Sequence, residues 1–66
     1  MIALHLNGRE MRLAAENVEE LMAVLGLAAS LHLVEHNGTA LLRSEWVETR
    51  LREGDRIEVL RVSAGG

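Results

Sequence analysis

The residues whose types could do chemistry stand at the end of the chain. Gly65 and Gly66 close a strand-like run, Arg56 to Val62, with only Ser63 and Ala64 between. Glycine has no Cβ, so a Gly-Gly tail is thin and adaptable enough to thread a narrow cleft and present its carboxylate to a separate catalyst. A frayed terminus of small residues has the same look. The rest of the chain must decide between the two.

No side-chain constellation competes with the tail. The 66 residues include no cysteine and no tyrosine, and all seven basic residues are arginine, so there is no thiolate and no side-chain amine to acylate. The hydroxyls are Ser30, Thr39, Ser44, Thr49 and Ser63, and the carboxylates are scattered over turns and the outer face of a helix, where they read as a solvated surface. The chain is therefore expected not to be an enzyme in its own right. His32 and His36 have a spacing that suits a metal on a helix, but they fall in a strand-like run. There, four residues span roughly 13 Å and two imidazoles cannot share one ion. The expectation is no metal site and two surface or half-buried histidines.

The composition narrows the class further. A net charge of −3 argues against a nucleic-acid binder, which needs a basic surface to displace counterions. No apolar run approaches a membrane span and no basic-then-apolar leader opens the chain, so a cytoplasmic protein is expected. Residues 1–66 read as one domain near the lower size limit for folding on a hydrophobic core, with 48% hydrophobic residues that are nearly all aliphatic.

The elements that must position the tail follow from periodicity. Ile2, Leu4 and Leu6 alternate with Ala3 and His5 as a half-buried strand. Asn7-Gly8 is a strong hairpin signal, and Arg9 to Leu13 returns with Met11 and Leu13 on one face. Asn17 predicts a helix cap, with Glu20 three residues on to reach back to it. Val18, Leu21, Met22 and Leu25 form one helical stripe, with Glu19 outside it, and Gly26 supplies the left-handed stop. Leu31 to His36 predicts a third strand, turning at Asn37-Gly38 and continuing through Ala40 and Leu41. Ser44 is expected to cap a short helical turn through Glu45, Trp46 and Val47. Glu53-Gly54-Asp55 makes a turn, and Ile57 and Val59 point inward along the last strand. The fold class is α+β, a single sheet of four to five strands with one helix on one face.

On that last strand Glu58, Leu60 and Val62 have the outward parity. Two aliphatics on the uncovered face of a sheet suit a partner-binding patch that runs through Ala64 into the tail. Packing of Val62 against an edge loop is the simpler alternative, since isolated exposed aliphatics are common.

Together these elements resemble the ubiquitin-like β-grasp fold, and more closely the ThiS family of sulfur carriers in thiamine biosynthesis. The resemblance covers almost the whole chain. It rests on the Asn7-Gly8 hairpin, the Val18–Leu25 helix, Val34 through Asn37-Gly38, Arg43-Ser44-Glu45-Trp46, Leu51 through Gly54-Asp55-Arg56-Ile57, and Val62-Ser63-Ala64-Gly65-Gly66. The Arg-x-x-Trp segment, the Gly-Asp-x-Ile lead into the last strand and the terminal glycines are specific in combination. Glu35, His36 and Leu42 depart from the family pattern, which often has a small or apolar residue, an aliphatic and a proline there.

The resemblance implies a mechanism in which this chain supplies no catalytic residue. The Gly66 carboxylate would be adenylated by a ThiF-like adenylyltransferase that binds the ATP and Mg²⁺, so no cofactor is expected on the carrier itself. Sulfur from a cysteine-desulfurase relay would then displace AMP, leaving a Gly66 thiocarboxylate for a ThiG-like thiazole synthase. Gly65 and Gly66 are the carried end, and with no cysteine present the sulfur travels on the main chain. Two other readings remain at this point: a MoaD-like subunit of molybdopterin synthase, with the same fold and tail, and a β-grasp interaction module whose tail is inert. Proline before the last residues is usual in the MoaD group, and this chain has no proline.

Overall fold

A computed structural model describes residues 1–62, and the tail beyond them lies outside the described residues. Strands β1 (Ile2–Leu6) and β2 (Arg9–Leu13) form a hairpin in the register Ile2↔Leu13, Leu4↔Met11, Leu6↔Arg9. Asn7 and Gly8 both take positive φ, 50° and 82°. This is the backbone that a two-residue turn needs to follow the twist of its strands. Helix α1 (Val18–Leu25) comes next, then a 3₁₀ turn (Ala29–Leu31), β3 (His32–His36), the two-residue β4 (Thr39–Ala40), a 3₁₀ helix (Arg43–Glu48) and β5 (Arg56–Arg61). The sheet order is β2-β1-β5-β3-β4, so the last strand in sequence is the middle strand in space. It runs parallel to β1 and antiparallel to β3, giving a mixed five-stranded sheet.

The helix ends as its residues predict, with one shift. Asn17 Oδ1 accepts the Glu20 N–H at 2.8 Å, and Gly26, at φ 71°, closes the C-terminus. The Glu20 carboxylate, however, accepts from the Glu16 N–H at 3.0 Å, one residue beyond the Asn17 cap it was expected to reach. Val18, Leu21 and Met22 are buried and Leu25 partly so, against Leu4, Val34, Ile57, Val59 and Trp46. That stripe lies on one face of the sheet and makes the core.

Three further expectations need correction. Leu31 is in the 3₁₀ turn, so β3 starts at His32, although the Leu31 carbonyl still accepts the Val62 N–H at 2.8 Å. Ser44 is not a cap. The 3₁₀ helix begins one residue earlier, at Arg43, and its start is held by the Glu45 carboxylate accepting the Leu42 N–H at 2.7 Å. Leu42 has φ −72°, which proline would share, but proline has no N–H to donate. Ala3 has the outward parity yet is buried, because the Glu53-Gly54 turn folds over it. The Ala3 N–H donates to Glu53 Oε1 at 3.1 Å, and its carbonyl accepts the Gly54 N–H at 2.8 Å.

The two Asn-Gly turns hold β5 from both sides. On the β1 side the Asn7 N–H donates to the Ile57 carbonyl at 2.9 Å. Its side chain then pairs with Val59, Oδ1 accepting the N–H at 2.8 Å and Nδ2 donating to the carbonyl at 3.2 Å. On the β3 side Asn37 pairs with Arg56 through one main-chain and one side-chain bond. Its N–H donates to the Arg56 carbonyl and its Oδ1 accepts the Arg56 N–H, both at 2.8 Å. Asn37 Nδ2 also donates to Asp55 Oδ1 at 3.1 Å. Asp55 Oδ2 accepts the Arg52 N–H at 2.9 Å and lies 2.8 Å from His36 Nε2.

Asn7→Ala strands the Val59 N–H and carbonyl while leaving the turn without its preferred residue. It should lower unfolding free energy by about 2–3 kcal/mol in urea titrations, since each part-buried group left unpaired costs about 1–3 kcal/mol. An unchanged midpoint would show that the clamp contributes nothing. Asp55 gives a second test. Burial alone would raise its carboxyl, but the bonds from His36, the Arg52 N–H and Asn37 lower it further, so it sits below its ordinary value of 3.8. The folded state thus binds this proton more weakly than the unfolded state. The stability it supplies is complete above the ordinary value and is lost as the pH falls through it toward the lower folded value. Asp55→Asn should therefore be less stable than the parent at neutral pH, with the gap shrinking below about pH 4. A gap that widens on acidification would reverse the sign.

Candidate functional site

Strand β5 presents the candidate residues because of its alternation. Ile57 and Val59 are buried, 1% and 8% exposed, under α1, while Leu60 is 50% and Val62 40% exposed on the opposite face. Glu58 and Arg56 share that outer face and are exposed. The parity expected for Glu58, Leu60 and Val62 is the parity observed. Val62 is the last described residue, and its hydrogen bond to Leu31 ties the strand to β3's leading edge just before the tail. The other two site assignments, Ala64 and the Gly65-Gly66 end, lie outside the described residues.

The structure adds a residue that sequence reasoning missed. Leu33 on β3 pairs directly with Leu60 and is 58% exposed. Its parity was readable, since Val34 beside it is buried. What was not readable is the register that sets Leu33 opposite Leu60 rather than opposite Glu58. Leu33, Leu60 and Val62 now form one aliphatic strip at the end of β5 from which the tail departs. Toward the other end of the strand the outer face turns polar, through Glu35 opposite Glu58 and His5 opposite Arg56.

The Arg43…Trp46 segment is a brace for this platform. Trp46 is buried at 2% exposure, the Arg43 guanidinium lies 4.6 Å from its ring centroid, and Arg43 Nη2 reaches Glu19 of α1 at 2.8 Å. A cleft of about 370 Å³ opens beside it, bordered by Leu33, Leu41, Arg43 and Trp46 among others. His32 and His36 are both half-buried on one strand and are committed locally, His32 Nδ1 to the Ala28 carbonyl at 2.7 Å and His36 to Asp55. Among the described residues no group of three or more His, Asp or Glu side chains is placed to hold a metal. No described helix is long and apolar enough to cross a membrane.

A mixed sheet of this order, with a single α-helix across one face among the described residues, defines a ubiquitin-like β-grasp protein. The model of the ThiS family matches residues 4–66, and the chain belongs to that family. The crystal structure of the thiamine biosynthesis protein ThiS from Geobacter metallireducens is 36% identical, with a TM-score of 0.85 over 98% of this chain and 100% of that one. The NMR solution structure of a thiamine biosynthesis protein from the same organism is 33% identical, with a TM-score of 0.80 over 98% of this chain and 88% of that one. No curated protein sequence matches the chain.

If the strip is a surface and the opposite face is the core, substitutions on β5 must separate cleanly. Leu60→Glu should leave the melting temperature nearly unchanged, because it adds a solvated charge and opens no cavity. Ile57→Ala should cost about 2–4 kcal/mol through lost burial and residual void. Thermal melts of the two variants decide the matter, and the reverse order of stabilities would put the strip in the core.

Proposed function

We propose that this chain is a sulfur carrier of thiamine biosynthesis, with the Gly66 carboxylate as the carried group. Family membership supports the class. The observation that carries the reading to the molecule is the exposed Leu33-Leu60-Val62 strip, which lies at the end of β5 from which the tail leaves. A docking surface there would deliver the tail to whichever partner it meets.

The chemistry follows from what a carboxylate lacks. It is a poor electrophile, so a ThiF-like adenylyltransferase must first join it to the α-phosphorus of ATP, releasing pyrophosphate and forming an acyl adenylate. A persulfide from a cysteine-desulfurase relay then attacks the acyl carbon and AMP leaves. A second thiol breaks the S–S bond of the resulting acyl disulfide, is itself oxidised to a disulfide with the donor sulfur, and leaves Gly66 as a thiocarboxylate. That soft nucleophile is passed to a ThiG-like thiazole synthase. ATP and Mg²⁺ belong to the activating partner, and so does catalysis. The carrier contributes a recognition face, formed by Glu58, Leu60, Val62 and Ala64, and a thin end that enters a narrow site.

Incubation with the adenylating enzyme, ATP, Mg²⁺ and a sulfur source should raise the intact mass by the exchange of one oxygen for sulfur. Fragmentation should place the change on Gly66. Deleting Gly66 withdraws the carboxylate by about 3.5 Å, and adding a residue after it locks the reactive carbonyl in an amide. Both variants should fold as the parent and accept no sulfur. Sulfur uptake by either would remove the carrier reading.

A further inference from the structure

We propose that Glu35 and Glu58 form a selectivity element on the outer face, and that the surface it selects is a protein surface with an arginine or lysine set beside an apolar socket. The proposal deepens the carrier reading and rests on it.

The register places Glu35 directly opposite Glu58, and one step along the same face Leu33 opposite Leu60. Like charges directly opposite across a sheet, with Cβ atoms about 5 Å apart, destabilise it. Among the described residues the ion pairs are His36–Asp55 and Arg43–Glu19, and neither involves Glu35 or Glu58. Arg56, the next outward residue on β5, borders the same shallow clefts as Glu58 but makes no ion pair with either carboxylate. The fold therefore carries two unmatched carboxylates in a place where neutral residues would serve it better.

Their position gives them a use. Along a strand the next residue on one face is about 7 Å away, so a partner that covers Leu33 and Leu60 must also cover Glu35 and Glu58. Taking two carboxylates out of water without a counter-charge is strongly unfavourable. A partner with an apolar socket alone is thus rejected, and one that brings a cation is accepted. A guanidinium suits the task best, because its planar fork can donate to both carboxylates at once. Attraction and exclusion come from the same pair, as specificity requires.

The test uses the full chain and the adenylating enzyme of its own source. Binding is measured at low and moderate salt for the parent, Glu35→Gln/Glu58→Gln, and Glu10→Gln on the far strand β2, with thermal melts of each. The double variant should melt no lower than the parent, bind about tenfold more weakly, and lose much of the parent's salt dependence. Glu10→Gln should bind as the parent does. Parent-like affinity and salt dependence in the double variant would overturn the proposal, as would an equal loss in Glu10→Gln, which would mean that only net charge matters. A markedly lower melting point for the double variant would also overturn it, since the pair would then be serving the fold. These results leave the carrier reading standing as long as the parent itself is bound and accepts sulfur. If the parent does neither, both readings fall together.

Discussion

The structure depends on holding its last strand in the middle of its sheet. β5 has β1 on one side and β3 on the other, and each of those strands turns away at an Asn-Gly pair. At both turns asparagine sits at φ 50°, a left-handed conformation that few residues other than glycine adopt at low cost. The same asparagine then uses its amide as an extra rung of ladder, Asn7 on Val59 and Asn37 on Arg56. One residue type thus meets two demands, reversing the chain and satisfying the backbone of the strand beside it. Without the Asn7 rung β5 would be paired with β1 through only two registered positions, His5↔Arg56 and Leu6↔Ile57.

Fixing β5 also fixes the division of the molecule into two faces. Ile57 and Val59 are drawn under the helix, where Trp46, Leu4, Leu21, Val18 and Val34 complete a core almost wholly removed from water. Arg43 braces the back of that core by lying on the Trp46 ring while bonded to Glu19. With a single helix available, only one face of the sheet can be covered. The other face is left to solvent, and the residues of outward parity on β5 become surface. An exposed aliphatic strip at the end of β5 is thus a direct result of building a five-stranded sheet with one helix.

What was legible in the residues is what local physics decides. Alternation, turn chemistry, the helix stripe with its asparagine cap and glycine stop, and the inward and outward sides of β5 all depend on neighbours within a few positions. What escaped depends on contacts that are distant in sequence or on competition between equal candidates. Asn7 reads as a turn residue, and nothing near it reveals an amide bonded to Val59, fifty-two positions away. Ala3 alternates as an outward residue, and its burial requires a turn near residue 53 to fold back over it. Ser44 is the better cap by type, but Leu42 takes that position because the Glu45 carboxylate reaches its N–H. Leu33 was assignable to a face, but its pairing with Leu60 is a matter of register. The tail lies outside the described residues, so its reading rests on residue type alone.

The same reasoning explains why a chain so poor in reactive side chains can still take part in group transfer. With no cysteine and no lysine, the chain offers no side-chain thiol or amine, and the carrier reading places the acyl chemistry on the Gly66 carboxylate. A carboxylate at the end of a tail is useful only if the tail's root is held in place relative to the surface a partner grips. The Val62 N–H bonded to the Leu31 carbonyl is such a root, and it adjoins the Leu33–Leu60 pair. On the carrier reading, four residues beyond Val62 reach at most about 14 Å. A partner that grips the strip must therefore keep its reacting groups within that radius. On that reading the strip selects the partner, the root sets the origin and the tail length sets the range, so recognition and chemistry are coupled through one strand.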